Sequence, residues 1–271
     1  MNRRSFGIVG LVAAISLTLG ACSTGASSPS SSAAGGDTSL SDVKSKGEIV
    51  FGTEGTYKPF SYHENGAGDL TGFDVDVAKA VAGKLGVKAS FQETQFDGIF
   101  AGLDAKRFDA IANQISITPE RQAKYSLSTP YTVSPGVVVT KSDNNDIHSI
   151  ADLKGKTTAQ SLTSNWFKVA QDAGANVQAV EGWAQSVSLL KEGRVDATVN
   201  DKLTYLDYVK TNKDSGLKVA AETTDKSKSA IAMRKGATAL TDAVDKALAD
   251  LAADGTLAKI STKYFDADVT K

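Results

Sequence analysis

The residues best suited to chemistry lie in the stretch Ala112–Arg121, which reads ANQISITPER. The apolar run Phe108–Ala112 before it predicts a buried strand, so the polar residues begin at the carboxyl end of that strand. Thr118 suits a helix N-cap and Pro119 the first helical position, which places Arg121 in the first turn. The amino end of a helix dipole disfavours a cation there. We therefore expect Arg121 to extend away from its helix and to hold an anion in a cleft.

Three polar side chains lie between this strand and this helix, namely Asn113, Gln114 and Ser116. They would present hydrogen-bonding groups at the tip of the strand, where open α/β sheets bind ligands. Taken alone, the stretch fits equally well a polar loop that ends in a solvated arginine.

The elements around this stretch predict an α/β fold. Ile49–Phe51 and Val87–Phe91 read as strands, while Phe73–Leu85 and a segment that begins at Phe96 have helical periodicity. Strands that alternate with helices are typical of a mostly parallel sheet. A second series after Tyr131 has the same rhythm without repeating the sequence, and 271 residues are ample for two domains.

Residues 1–21 are predicted to be a signal peptide. Arg3 and Arg4 precede the apolar run Phe6–Leu19, and the segment ends in small residues. The arginine pair faintly resembles a twin-arginine signal, but Gly7 departs from that pattern and favours general export. The sequence leaves the choice between the two routes open.

Residues 22–41 are predicted to be a lipid-bearing tether. Leu19–Cys22 resembles the lipobox of bacterial lipoproteins, in which Cys22 becomes the lipidated amino terminus. The segment that follows is rich in Ser, Gly and Ala and cannot form a core. We therefore expect an extracytoplasmic protein that is anchored by lipid to the outer face of the cell membrane.

Composition argues against several classes of function. Loss of residues 1–21 removes two of the 30 basic residues and none of the 31 acidic ones; the resulting net charge of −3 does not suggest a nucleic-acid partner. Cys22 is the only cysteine, so the folded part has neither a disulfide nor a catalytic thiol. His63 and His148 fall in separate loops, away from any pattern typical of catalysis or metal binding. We therefore predict no catalytic residue, no metal and no cofactor.

Seven ordered motifs resemble the polar amino-acid family of solute-binding lipoproteins of ABC importers. They span about Gly47 to Val269 and read GTEGTYKPFSY, LTGFDVDVAKAVAGKLG, FDAIANQISITPER, STPYTVS, DLKGK, GRVDATVND and ADGTLAKISTKYF. The resemblance implies the two-lobed periplasmic-binding-protein fold of type II, in which each lobe is a mostly parallel sheet flanked by helices. It implies lobe 1 over residues 42–134 and 229–271, lobe 2 over residues 135–228, and two hinge strands between them.

The resemblance also implies where the head group of an amino acid binds. Arg121 matches the arginine that captures the ligand carboxylate, for which a bidentate fork is suited, and Ser116 matches the neighbouring hydroxyl. Asp201 matches the acid that holds the ammonium. Ser164 and Asn165 match a helix amino terminus whose free N–H groups favour an anion.

Further matches concern the side chain of the ligand. Tyr57 and Phe96 match aromatic positions that sandwich it, and Glu54 and Gln114 would face its variable end. Each match has a plainer alternative that the sequence leaves open. The two aromatics could be core residues, Asp201 could be a helix cap, and Glu54 could lie in a solvated loop.

The strings ANQISITPERQAKYSLSTPYTVS, VNDKLTYLDYVK and TTDKSKSAIAMRKG most resemble the cystine and sulfur amino-acid subset of this family. Asn113 and Gln114 stand where the family usually has small hydroxyl residues or glycine, and amides there would suit a long ligand with two polar ends. We expect a monomer that binds cystine or cysteine and delivers it to the permease and ATPase subunits of an importer. A glutamine, glutamate or basic amino-acid binder remains open, as does a dehydratase-type enzyme on the same fold.

Overall fold

The structure is a computed structural model that describes residues 36–271. The predicted signal peptide, Cys22 and most of the predicted tether lie outside the described residues. Helix α1 (Ser39–Lys46) opens the described part and includes the last three residues that the sequence assigns to the tether.

The first half of the described chain contains the predicted alternation of strands and helices, with three short strands added after the first strand and another before the long strand that follows Tyr131. After α1 it contains β1 (Glu48–Thr53), β2 (Thr56–Tyr57), β3 (Ser61–His63), β4 (Leu70–Thr71), α2 (Phe73–Leu85), β5 (Lys88–Glu93), α3 (Phe96–Asp104), β6 (Ala110–Ser116), α4 (Pro119–Lys124), β7 (Tyr125–Leu127) and β8 (Thr132–Lys141).

The second half continues the alternation and ends in two helices. It contains β9 (Thr157–Gln160), α5 (Asn165–Asp172), β10 (Asn176–Ala179), α6 (Trp183–Lys191), β11 (Thr198–Asp201), α7 (Lys202–Thr211), β12 (Leu217–Arg234), α8 (Thr238–Ala253) and α9 (Thr256–Phe265). Short 3₁₀ turns occupy Glu64–Gly66 and Ile150–Leu153.

A seven-stranded sheet runs through both halves in the order β11-β8-β12-β6-β1-β5, with β7 paired to β12. Strand β1 is parallel to β5 and β6, whereas β12 is antiparallel to β6 and β8. Strands β8 and β12 pair from Ser229–Thr132 to Leu217–Lys141, with two irregularities in register. These two long strands therefore carry the chain between the halves of an α/β fold with two lobes.

Apolar clusters cover both faces of the sheet in each half. Successive residues of a strand point to opposite faces. Accordingly, Phe51 packs with helices α2, α8 and α9, while Ile111 on β6 packs on the other face with α3. In the second half Val137 and Val138 of β8 enter two different clusters in the same way. Burial on both faces holds the ends of the strands in fixed positions.

Strand β6 extends further than the sequence predicts. The apolar run predicts a strand that ends at Ala112, but the strand continues to Ser116, and all seven of its residues are buried. The prediction was wrong because it counted apolar residues, whereas Asn113 and Gln114 form hydrogen bonds inside the fold. Helix α9 was not predicted from the sequence.

Candidate functional site

A cavity lies between the two halves, at the carboxyl ends of β6, β9 and β11. Its walls include seven of the ten predicted binding residues, together with residues that the sequence did not suggest. The lining residues are Glu54, Tyr57, Phe96, Asn113, Gln114, Ala159, Gln160, Ser161, Ser164, Asn165, Trp166, Gly182, Trp183, Ser186, Val199 and Asn200.

The remaining three predicted residues lie beside this cavity. Arg121 lines an adjoining groove that shares Ser164 and Asn165 with the cavity. Ser116 lines a further recess that also reaches Asn165. Asp201 is buried directly after the lining residue Asn200, with 4% of its surface exposed. The tertiary structure thus brings all ten into one neighbourhood, although three are not on the cavity wall.

Arg121 extends away from its helix, as the sequence predicts. The hydroxyl of Thr118 caps helix α4 by accepting a hydrogen bond from the backbone N–H of Arg121 at 3.2 Å. The guanidinium reaches back to donate from Nη1 to the carbonyl oxygen of Ser116 at 3.0 Å. From Nη2 it donates to the carbonyl oxygen of Thr163 at 3.1 Å, in the other half of the fold. Arg121 therefore joins the two lobes through backbone acceptors.

The charge of Arg121 is not neutralised by a carboxylate. Among the described residues no acidic side chain forms an ion pair with Arg121, and the guanidinium carbon lies 5.2 Å from the ring centre of Phe100 and 5.9 Å from that of Phe96. Burial lowers the pKa of Arg121 to about 10. A buried cation with unused donors and no anion beside it is a suitable receptor for a ligand carboxylate.

Asp201 combines the two roles that the sequence left open. Its Oδ1 caps helix α7 by accepting from the backbone N–H of Leu203 at 2.8 Å, and it accepts from Ser134 Oγ at 2.7 Å. No donor from the described residues bonds to Oδ2. Burial raises the pKa of Asp201 to about 6. The residue is thus a helix cap that still has one carboxylate oxygen available for a cationic group.

Asn113 positions Glu54. Its Oδ1 accepts from Thr53 Oγ1 at 3.0 Å and from the backbone N–H of Glu54 at 2.9 Å, and its Nδ2 donates to Glu54 Oε2 at 2.7 Å. Burial is the main cause that raises the pKa of Glu54 to about 7, and the nearby carboxylates of Asp97 and Glu181 act in the same direction. Glu54 therefore lines the cavity and does not lie in a solvated loop.

Gln114 is held by Asp74, which the sequence did not suggest. Gln114 has a left-handed backbone with φ 48°, which is unusual for a residue with a side chain. Its backbone N–H donates to Asp74 Oδ2, and its Nε2 donates to Asp74 Oδ1, both at 2.7 Å. Burial raises the pKa of Asp74 to about 7. The two bonds fix both the turn of the backbone and the direction of the amide.

Tyr57 spans the cavity. Its hydroxyl donates to Asn200 Oδ1 at 2.9 Å and accepts from Thr204 Oγ1 at 3.2 Å, so it bonds to the second lobe. Its ring packs 5.0 Å from that of Phe60. The ring of Tyr57 therefore packs against the core and also lines the cavity.

The amino terminus of helix α5 faces the cavity with Ser164 as its cap. Ser164 Oγ accepts from the backbone N–H of Phe167 at 3.0 Å, whereas Asn165 is the first helical residue. Both residues thus lie at the amino terminus of a helix, with Ser164 and not Asn165 as its cap. Trp166 packs in the second lobe and also lines the cavity.

A third contact between the lobes lies beside the cavity, next to the lining residues Phe96, Ser161 and Ser164. The carboxylate of Asp97, in the first turn of α3, accepts from Thr163 N at 2.9 Å, Thr163 Oγ1 at 2.8 Å and Leu162 N at 3.3 Å. Together with Arg121 and Tyr57, this carboxylate joins the two lobes across the cavity. The described arrangement is therefore closed.

Among the residues of this region that sequence reasoning missed, Asp74, Gln160, Trp183 and Asn200 form polar contacts or carry polar groups that bear on binding. Gln160 ends β9 and Asn200 lies near the end of β11, so the rule applied to Asn113 would have identified both. Trp183 opens helix α6 after Gly182 and resembles an ordinary core residue in the sequence. Asp74 carries no local signal, because its partner Gln114 lies 40 residues later.

Two negative findings apply to residues 36–271. No cluster of three His, Cys, Asp or Glu side chains in this range could hold a metal ion. None of the helices in the same range has the length and apolar character needed to cross a membrane.

One curated relative is similar to nearly the whole chain. The chain is 50% identical over 253 residues to the L-cystine-binding protein TcyA of Bacillus subtilis strain 168, which covers 93% of this chain and 94% of that protein.

Two solved structures are similar in fold. The L-cystine solute receptor of Neisseria gonorrhoeae, unliganded and open, is 46% identical with a TM-score of 0.59, over 86% of this chain and 99% of that one. An ancestral arginine-binding protein bound to arginine is 41% identical with a TM-score of 0.75, over 81% of this chain and 98% of that one. The higher score with the bound structure agrees with the closed arrangement described above.

The match to a protein family covers most of the chain. Residues 49–267 match the description of bacterial extracellular solute-binding proteins, family 3. This protein therefore belongs to the bacterial extracellular solute-binding proteins of family 3.

Proposed function

We propose that this protein binds extracellular cystine, or cysteine, and delivers it to the permease of an ABC importer. The observation that supports amino-acid binding is the presence of two complementary groups in this region. Arg121 is buried without a carboxylate partner, and Asp201 has one carboxylate oxygen without a donor. A free α-amino acid presents the complementary carboxylate and ammonium. The preference for cystine is supported by the names of the relatives from B. subtilis and N. gonorrhoeae.

The proposed mechanism is closure of two lobes about β8 and β12. Lobe 1 comprises residues 42–134 and 229–271, and lobe 2 comprises residues 135–228. The ligand first binds lobe 1 through Arg121, Ser116 and the aromatic rings of Tyr57 and Phe96. Lobe 2 then closes with Asp201 and the amino terminus of α5. Contacts that exist only in the closed form favour that form, which the permease can then recognise.

A basic amino acid is the second candidate ligand. The solved arginine-bound relative supports it, and Glu54 could bind a cationic tail. No specific observation favours catalysis, so the dehydratase alternative is not carried further. Lipidation of Cys22 and anchoring to the outer face of the membrane remain part of the proposal, because Cys22 lies outside the described residues.

A thermal-shift screen of the chain from Ser23 against the common amino acids and cystine tests this function. A ligand at a hundred times its dissociation constant adds about 2.7 kcal/mol to the free energy of unfolding. We expect a large shift with cystine and small shifts with glutamine and arginine. A larger shift with arginine than with cystine would show that the ligand is a basic amino acid. No shift with any amino acid would contradict amino-acid binding altogether.

Two variants test the residue roles in the same screen. Arg121→Ala is expected to remove binding of every α-amino acid, because it removes the receptor for the carboxylate common to all of them. Asp201→Ala is expected to weaken binding more than about tenfold. Arg194→Ala is the control, because Arg194 is exposed and pairs with Glu192 on the surface. Binding that survives Arg121→Ala unchanged would contradict the assignment.

A further inference from the structure

Buried polar atoms without partners are found on two walls of the cavity. In the described part of the chain, Gln160 Nε2, Trp183 Nε1 and Gln114 Oε1 lack any hydrogen-bond partner. These side chains are only 3%, 9% and 7% exposed, respectively. A buried polar atom without a partner destabilises the protein, so a ligand that pairs with it is favoured.

The unpaired atoms on the second lobe are both donors. An indole nitrogen can only donate, so Trp183 Nε1 requires an acceptor. Thr158 Oγ1 donates to Gln160 Oε1 at 3.0 Å, which leaves Nε2 as the outward group of that amide. This wall of the cavity therefore fits a group with acceptor oxygens, such as a carboxylate.

The facing wall on the first lobe offers acceptors. Glu54 uses Oε2 for Asn113, and no donor from the described residues bonds to Oε1. That oxygen faces the second lobe, because a Cβ on Gly182 would lie 3.6 Å from it. The unpaired Gln114 Oε1 adds a second acceptor. This wall therefore fits a cationic donor, such as an ammonium.

We propose that these two walls form a second subsite, distinct from Arg121 and Asp201, that binds a zwitterionic amino-acid group at the far end of the ligand. Trp183 and Gln160 bind the distal carboxylate, while Glu54 and Gln114 bind the distal ammonium. The inference rests on the proposed function, since it assigns the other end of the same ligand.

This subsite selects a two-headed ligand over one with a guanidinium tail. Arginine has only donors at its far end. It would satisfy Glu54 but would leave Trp183 Nε1 buried and unpaired. A site built to pair a polar group rejects a ligand that lacks this group, because the protein atom stays unsatisfied.

Three disulfide ligands separate the two distal contacts. Cystine carries both distal groups, the mixed disulfide of cysteine with cysteamine carries only the ammonium, and that of cysteine with 3-mercaptopropionate carries only the carboxylate. All three keep the same amino-acid head for Arg121 and Asp201. The chain from Ser23 has no cysteine that could exchange with them. Affinities are measured by isothermal titration calorimetry at neutral pH without added thiol.

Trp183→Phe and Gln160→Glu are expected to lower the affinity for cystine and the mercaptopropionate ligand about ten- to a hundredfold more than for the cysteamine ligand. Glu54→Gln is expected to have the opposite selectivity. Gln160→Glu keeps the oxygen that accepts from Thr158 and removes only the Nε2 donor. This variant therefore tests the distal carboxylate contact even if Trp183→Phe does not fold. Gln122→Glu, on the exposed surface of α4, is the control for the added charge.

The outcomes separate the two proposals. If the variants weaken all three ligands by the same factor, or if wild-type protein binds all three equally, the distal subsite is wrong and amino-acid binding stands. If wild-type protein binds none of the three, both the distal subsite and the binding of cystine are contradicted.

Discussion

The charged residues of the cleft are held in conformations that suit a ligand. Arg121 donates two hydrogen bonds to backbone carbonyl oxygens, and one oxygen of Asp201 accepts from a serine hydroxyl and from the first turn of a helix. Neither contact neutralises the charge. Burial penalises both groups, and an amino acid that pairs with them removes this penalty. The site thus derives binding energy from charges that the fold keeps buried and without a partner of opposite charge.

The pH dependence of stability follows from the raised pKa of Glu54. A carboxyl whose pKa is higher in the folded state adds stability below its unfolded value of 4.5, and this contribution is lost as pH rises through about 7. Relative to Glu54→Gln, we expect ligand-free wild type to lose up to about 3 kcal/mol of unfolding free energy between about pH 4 and about pH 8. Urea denaturation across this range measures it.

The control for this measurement is Glu64→Gln, because Glu64 is exposed in the 3₁₀ turn. The difference between Glu64→Gln and wild type is expected to stay small at every pH. A difference between wild type and Glu54→Gln that does not change with pH would show that Glu54 has an ordinary pKa.

At the scale of elements, close packing of β8 against α5 sets the position of the cavity wall. Gly136 of β8 donates its N–H to Thr223 Oγ1 at 2.8 Å and lies under the ring of Trp166. A Cβ there would lie 2.2 Å from Cζ3 of Trp166. Because Trp166 is in the first turn of α5, displacement of its ring would move the amino terminus that faces the ligand.

Gly136→Ala is therefore expected to reduce the free energy of unfolding by about 1–3 kcal/mol and to weaken ligand binding. Gly83→Ala is a matched control, because no atom lies within 4 Å of a Cβ built at that position in α2. This second change is expected to leave stability equal or higher, since alanine favours helix. Thermal unfolding and calorimetric titration measure both; equal stability of the two variants would contradict close packing at Gly136.

At the scale of the whole molecule, the lobes are joined by contacts that only a closed form makes. Three of these contacts are hydrogen bonds that Leu162 and Thr163 donate to the single carboxylate of Asp97. They lie beside the cavity and do not require the ligand. They therefore bias the equilibrium between open and closed forms directly.

Asp97→Ala is expected to weaken ligand binding about tenfold, because it removes contacts specific to the closed form. Small-angle scattering of the ligand-free variant is expected to show a larger radius of gyration than wild type. Asp172→Ala is the control, since Asp172 pairs with Lys168 within helix α5. An unchanged affinity together with an unchanged radius would show that Asp97 does not hold the lobes closed.

The sequence by itself determined the α/β alternation, the family and the cap at Thr118. These depend on neighbours in the chain, because apolar periodicity, helix caps and motif order are local properties. It also predicted that the side chain of Arg121 extends away from its helix, since the helix dipole disfavours a cation in the first turn. Its strand boundary at Ala112 was wrong, because burial of Asn113 and Gln114 depends on partners far away in the sequence.

Only the tertiary structure decided how the cleft is built. It places Thr163 beside Arg121, Asp74 beside Gln114, and Asn200 beside Tyr57, pairs separated by 42, 40 and 143 residues. It also decides which polar atoms remain without a partner, among them Trp183 Nε1 and Gln160 Nε2. Whether a buried donor is satisfied depends on the distance to every acceptor around it. That distance is set by the packing of two lobes and is not encoded in any short stretch of the chain.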